Sequence, residues 1–307
     1  MNKIYPKSCK SFSSAFPLLS ASVAACLKHM NTIGSIRVLG LFALGLLSIA
    51  ASAHATVIVH YTFDDSENRF ADSSGNGYDL TNSVGTQTYV DNAFGVGDDA
   101  LSNSSIYRVY RSSNAAFQAI SDFTLEATIN YTSFDSGTYY VLGQWDGTGA
   151  QRSYSLGVNS DGYLVLEISS DGTIAGMSTY TSSFTISAST NYYIGVSFDL
   201  SDQDGGIVFY GLDLDSSGAT LLTSVVSHTL TTLNTPTARF VVGNRAYSGA
   251  DIYTFDGLIG EVRVSDSVLT PGQLLISVPE PAGAAWLLGF AVLAVLAMKR
   301  RLKKDHA

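Results

Sequence analysis

An all-β fold of two antiparallel sheets is predicted for the middle of this chain, from Thr56 to Val278, and three observations predict it. Apolar and polar residues alternate with period two in short runs. Clusters of Gly, Asn, Asp and Ser separate those runs, as hairpin turns require. No stretch of the middle carries a helical period over ten or more residues.

Taken in order, the alternating runs are Val57–Phe63, Phe123–Ile129, Tyr163–Ile168, Tyr192–Leu200, Ile207–Leu214 and Gly260–Val264, with Tyr139-Tyr140-Val141-Leu142 as a further strand. The turn clusters are Ser73–Gly77, Asn159–Gly162, Ser201–Gly206 and Asp215–Gly218. Asp213-Leu214-Asp215-Ser216-Ser217-Gly218 imitates the start of an EF-hand loop, but loop position twelve is Ser224 rather than Glu, so it reads as a hairpin turn. About a dozen strands without fixed repeat or long linker point to one sandwich or jelly roll.

The charge of this region narrows its partners. Seven Arg and no Lys stand against 24 Asp and Glu, a formal charge of −17. Such a surface repels nucleic acid and anionic lipid. It suits cations or neutral glycans. Both cysteines, Cys9 and Cys26, precede it, so it has no disulfide, thiolate nucleophile or Cys-ligated metal.

The two ends differ sharply from the middle. Arg37 precedes an apolar run from Val38 to Ala50, and Ala53-His54-Ala55 supplies small residues at the positions a signal peptidase reads. Residues 1–55 therefore read as a secretory leader cleaved after Ala55, with Met30 as a candidate start giving an ordinary leader length. At the other end, Pro279-Glu280-Pro281 is followed by an uncharged span, residues 282–298, and then a basic cluster containing Arg300 and Arg301. Seventeen residues make roughly 25 Å of helix, enough for a thin bilayer. The basic cluster sets the cytoplasmic side.

This tail resembles the PEP-CTERM sorting signal of Gram-negative bacteria that make exopolysaccharide. The resemblance rests on residues 279–307 and implies recognition by an exosortase. It also implies anchoring in the inner membrane before processing near Pro279, then release to the cell surface or extracellular matrix.

The middle resembles the laminin-G-like (LamG) branch of the concanavalin A-like jelly rolls. Four stretches carry it: Tyr61–Asp64 with Ala71–Gly77, Phe123–Ile129, Tyr192–Asp199, and Phe255–Val264 followed by Leu269–Leu274. The resemblance implies two antiparallel sheets whose first and last strands are neighbours, and binding rather than a single chemistry. The sequence departs from the family at Gly260, where Asp is common, and lacks the family's Trp in the second and third stretches.

Three kinds of site are candidates. Calcium takes six to eight oxygens from carboxylates and loop carbonyls. Asp64, Asp72, the backbone around Gly77, and Glu261 would supply them, in segments that the resemblance brings together. For a sugar, Trp145 in Gln144-Trp145-Asp146-Gly147, a flat aromatic at a loop edge beside the Tyr139–Leu142 strand, and Tyr247 and Tyr253 in the Gly243–Asp256 loop offer faces for stacking. For catalysis the signals are poor. The paired carboxylates of a Glu-x-Asp-x-x-Glu string are missing, and Glu126, Glu167 and Glu261 sit in separate strands. The expected function is non-enzymatic binding of polysaccharide or another envelope component. The alternative is a divergent glycoside hydrolase or lyase on the same fold. N-terminal sequencing of the export-blocked precursor should begin at Met30; peptides from residues 1–29 would sink that start.

Overall fold

The computed structural model describes residues 55–276 apart from 85–86, 96, 104–107, 119–120, 134–136, 248–249 and 253. The signal-peptide reading up to His54, the Pro-Glu-Pro motif, the 282–298 span, Arg300, Arg301 and Tyr253 thus lie outside the described residues. Among the described residues, no helix is long and apolar enough to cross a membrane.

The described chain forms two antiparallel sheets joined by turns, with two short 3-10 turns and no α-helix among the described residues. The strands are β1 (Val57–Tyr61), β2 (Thr81–Val84), β3 (Thr88–Gly95), β4 (Asp98–Asn103), β5 (Arg108–Arg111), β6 (Phe123–Tyr131), β7 (Thr138–Asp146), β8 (Gln151–Asn159) and β9 (Tyr163–Ser169). They continue as β10 (Met177–Thr185), β11 (Asn191–Phe198), β12 (Ile207–Asp213), β13 (Leu222–Val226), β14 (Phe240–Val242), β15 (Arg245–Tyr247), β16 (Ala250–Ile252) and β17 (Gly257–Ser265). The first sheet runs β13-β12-β11-β6-β17-β4-β3, and β1 also pairs with β17. The second runs β10-β9-β8-β7-β14-β5-β2, with the β15–β16 hairpin attached to β7.

Alternation explains the core. Successive strand residues point to opposite faces. On β6, Phe123, Leu125, Ala127, Ile129 and Tyr131 face inward, and on β9 Leu164, Leu166 and Ile168 meet them from the other sheet. The Asp213 turn is as expected: its carboxylate accepts from the N–H groups of Asp215 and Ser216, an Asx-type turn between β12 and β13.

β17 organises the first sheet. One side pairs with β6 from Gly257 to Ser265; the other pairs with β4 over Gly257–Ile259 and with β1 over Val262–Ser265. The register shifts between Ile259 and Val262, a bulge at Gly260-Glu261. A Cβ on Gly260 would strike Thr128 Oγ1 and the Phe94 ring, which accounts for glycine at this position.

The outer face of the first sheet is covered by the chain's own residues 267–276. Leu269 and Leu274 pack with Tyr193 and Tyr210 into a small second core. Beneath it lies Glu126, fully buried. Its carboxylate accepts from Arg263 Nε (2.7 Å), the Tyr193 hydroxyl (2.9 Å) and the Leu275 N–H (2.7 Å). Arg263 Nη2 also donates to the Gln273 carbonyl (2.7 Å). Burial pushes the Glu126 carboxyl upward, against the pull of Arg263 and the Leu275 N–H. Glu126→Ala would strand the Arg263 guanidinium and the Leu275 N–H. It should cost about 3–5 kcal/mol of stability in urea unfolding, with Glu126→Gln losing less. An Ala variant within about 0.5 kcal/mol of the parent would refute the role of this carboxylate in fastening residues 267–276.

Candidate binding cleft

On the outer face of the second sheet lies a cleft of about 530 Å³. β7, β8, β9 and β15 supply its floor. Two register shifts on the β7–β8 pair, after Tyr140 and after Gln144, decide which side chains reach it. The second sets Trp145 directly opposite Arg152, so both side chains share one face. Glu167 reaches the same face by plain alternation, between the inward Leu166 and Ile168. Arg245 enters from β15, which meets β7 at Asp146.

The centre of the cleft is an ion pair. Arg245 Nη1 lies 2.5 Å from Glu167 Oε2, and both residues are buried. The Arg245 guanidinium lies 3.8 Å from the centroid of the Trp145 ring and 4.6 Å from that of Tyr140. Stacking on aromatic faces and a carboxylate partner fix its planar fork in place. Tyr247 stands at the rim, 49% exposed, with exposed Ile174 on the rim as well.

Two glycines let the rim close. A Cβ on Gly147 would run into the Tyr247 ring. Gly172 has φ +82°, and a Cβ there would strike the Ala150 carbonyl and the Asn234 amide. Gly172 thereby brings its carbonyl to Arg152 Nη1 at 3.0 Å.

The sequence-derived sugar-stacking residues fare differently. Trp145 and Tyr247 do meet in one cleft. Trp145, however, is not at a loop edge: β7 continues to Asp146, and the indole is fully buried. With Arg245 over its ring, it supports the guanidinium and leaves the exposed stacking face to Tyr247. Arg152, Glu167, Arg245 and Tyr140 were not singled out for this site. The available signal was the presence of two of the seven Arg of a Lys-free domain.

The residues of the expected calcium set each engage protein groups. Asp72 Oδ1 accepts from the N–H groups of His60 (3.1 Å) and Ser74 (3.0 Å), and Oδ2 from that of Tyr78 (3.0 Å), so the carboxylate ties β1 to its following turn. Gly77 sits in that turn at φ +73°. Asp64 instead accepts from the Asp99 N–H (2.9 Å), and Glu261 Oε2 lies 3.5 Å from His60 Nε2. Among the described residues, no group of three or more His, Cys, Asp or Glu side chains is arranged to hold a metal ion. Glu126 and Glu167 do not face each other. They lie on the outer faces of different sheets, each against its own Arg.

No protein-family model matches the chain, and neither does any curated protein sequence. Solved structures do match it. Domain 4 of AbnA, a GH43 extracellular arabinanase from Geobacillus stearothermophilus, solved in complex with arabinotriose, aligns at 17% identity with a TM-score of 0.50. The alignment covers 71% of this chain and 96% of that one. The binding domain of Paraclostridial Mosquitocidal Protein 1 aligns at 14% identity with a TM-score of 0.49, over 71% of this chain and 50% of that chain. At these identities the first likeness is one of fold.

Asp72 yields a test with a defined sign. Burial acts to raise its carboxyl, but the hydrogen bonds from Ser74 and from the Tyr78 and His60 N–H groups outweigh it and hold the group below its ordinary 3.8. Its contribution is therefore complete above that value and is lost as pH falls through the lower folded one. Asp72→Asn should cost about 1–3 kcal/mol at neutral pH, and the gap to the parent should narrow as pH falls below 3.8 in urea titrations. An equal gap at both pH values would count against this role. Melting the parent with and without a chelator tests calcium at this corner, since a bound ion raises Tm.

Proposed function

We propose that this chain is an exported, non-enzymatic surface or extracellular-matrix protein whose sandwich binds polysaccharide through the cleft of the second sheet. The observation that carries this reading is the convergence of Tyr140, Trp145 and Tyr247 around the fixed Arg245–Glu167 pair. A sugar ring offers an apolar face for an aromatic and hydroxyls for a rigid fork of donors, and such a cleft meets both needs.

Three further points support it. The pairing of β1 with β17 fits a concanavalin A-like, LamG-like sandwich. The arabinanase domain of like fold was solved with a bound oligosaccharide. The leader ending at Ala55 and the Pro279-Glu280-Pro281 tail with its Arg300-Arg301 cluster favour export and exosortase processing. The non-enzymatic reading rests on Glu167. It is the one carboxylate among the described residues lining the cleft, and Arg245 occupies it. Two-carboxylate hydrolysis needs a second carboxyl group across a groove.

A glycan array and polysaccharide pull-down with the full chain test the reading. Tyr247→Ala should weaken capture about three- to ten-fold, because it removes the exposed ring without touching the core. A folded protein that captures no glycan would end the proposal.

A further inference from the structure

Among the described residues, the cleft contains one charge that no neighbouring carboxylate balances. Arg69 pairs with Asp91 and Asp99, Arg245 with Glu167, and Arg263 with Glu126. Arg152 is 7% exposed, and no carboxylate of the described residues stands within ion-pair distance of it. Its guanidinium donates instead to two backbone carbonyls, Gly172 O through Nη1 and Gly147 O through Nη2. Those carbonyls orient the group without neutralising it. Buried charges are rarely left without an opposite charge, because desolvation makes them costly.

The position of Arg152 is informative too. It lies in the wall of the cleft, opposite Trp145 on the neighbouring strand. The Arg245–Glu167 pair contributes no net charge, so the described lining residues sum to one positive charge. The surrounding domain carries −17. Trp145 Nε1 adds a buried N–H with no hydrogen-bond partner among the described residues. The cleft is therefore rich in donors and short of acceptors, the inverse of the surface around it.

We propose that the cleft selects glycans bearing an acidic sugar, whose carboxylate or sulfate group meets Arg152. This rests on the polysaccharide-binding reading above and narrows it. A guanidinium held by two carbonyls is preorganised for an acid group, and a charge-assisted bond in a shielded cleft is roughly twice as strong as a neutral one. The domain's negative charge sets the other limit. It repels densely charged polyanions, so the favoured chain carries its acid groups sparsely among neutral sugars.

The test compares one uronate-containing polysaccharide with its carboxyl-reduced form, and with a sulfated neutral polymer beside its unsulfated parent, on the full chain. The acidic member of at least one pair should bind about ten-fold or more tighter than its neutral partner, and the pair that differs identifies the acid. That preference should shrink between about 50 and 500 mM salt. Arg152→Gln should abolish the preference, and Arg152→Lys, which keeps the charge, should retain part of it. If Arg152→Gln fails to fold by circular dichroism, the Lys variant and the paired polymers still decide. Equal binding within both pairs, unchanged by salt, overturns acid selection while leaving glycan binding standing. Binding of none of the four polymers overturns both.

Discussion

The first sheet depends on one pairing constraint: β17, late in the sequence, must sit between β6 and the two early strands β1 and β4. β1 and β4 share one edge of β17, and on the other edge the strand changes register against β6 at the Gly260-Glu261 bulge. The cost is steric and local. Phe94 and Thr128 crowd the bulge so closely that no side chain fits at Gly260. An Asp at this position, as the LamG resemblance suggests, is incompatible with this packing.

The second organising fact is that each sheet buries an acidic side chain on its outer face. An antiparallel sheet can leave one face to water, and polar residues at alternate positions usually signal that it does. Here the alternate positions of β6 and β9 include Glu126 and Glu167, and both are buried. Each is met by one arginine from another strand. The two pairs are put to different uses. Glu126 and Arg263 are sealed under residues 267–276, whose backbone completes their hydrogen bonds. Glu167 and Arg245 line an open cleft, the guanidinium resting on the Trp145 and Tyr140 rings.

Much of this was legible in the sequence. β6, β9, β11 and β12 alternate so regularly that their faces can be assigned by counting. β10 and β13 were missed because they are edge strands. Their runs Met177–Thr185 and Leu222–Val226 mix Ser and Thr among exposed and buried positions without a sustained apolar face. The cleft was only half legible. Tyr247 could be chosen as an exposed aromatic, but Trp145 was placed at a loop edge because the strand seemed to end at Leu142. The register shifts in β7 and β8 bring Trp145 and Arg152 to one face, and a count of residues along either strand alone does not reveal them. Glu167 with Arg245 is a contact across 78 residues of sequence, which local pattern does not encode.

The strap of residues 267–276 has a mechanical consequence. A pull from the C-terminal side reaches Leu275 and Gln273 before it reaches β17. The load falls first on the Leu275–Glu126 and Gln273–Arg263 hydrogen bonds and on the small core around Tyr193 and Tyr210. These contacts can peel one after another while the ladder between β17 and its three partner strands stays intact. The strap thus acts as a sacrificial fastening, giving way under tension before the sandwich itself is strained.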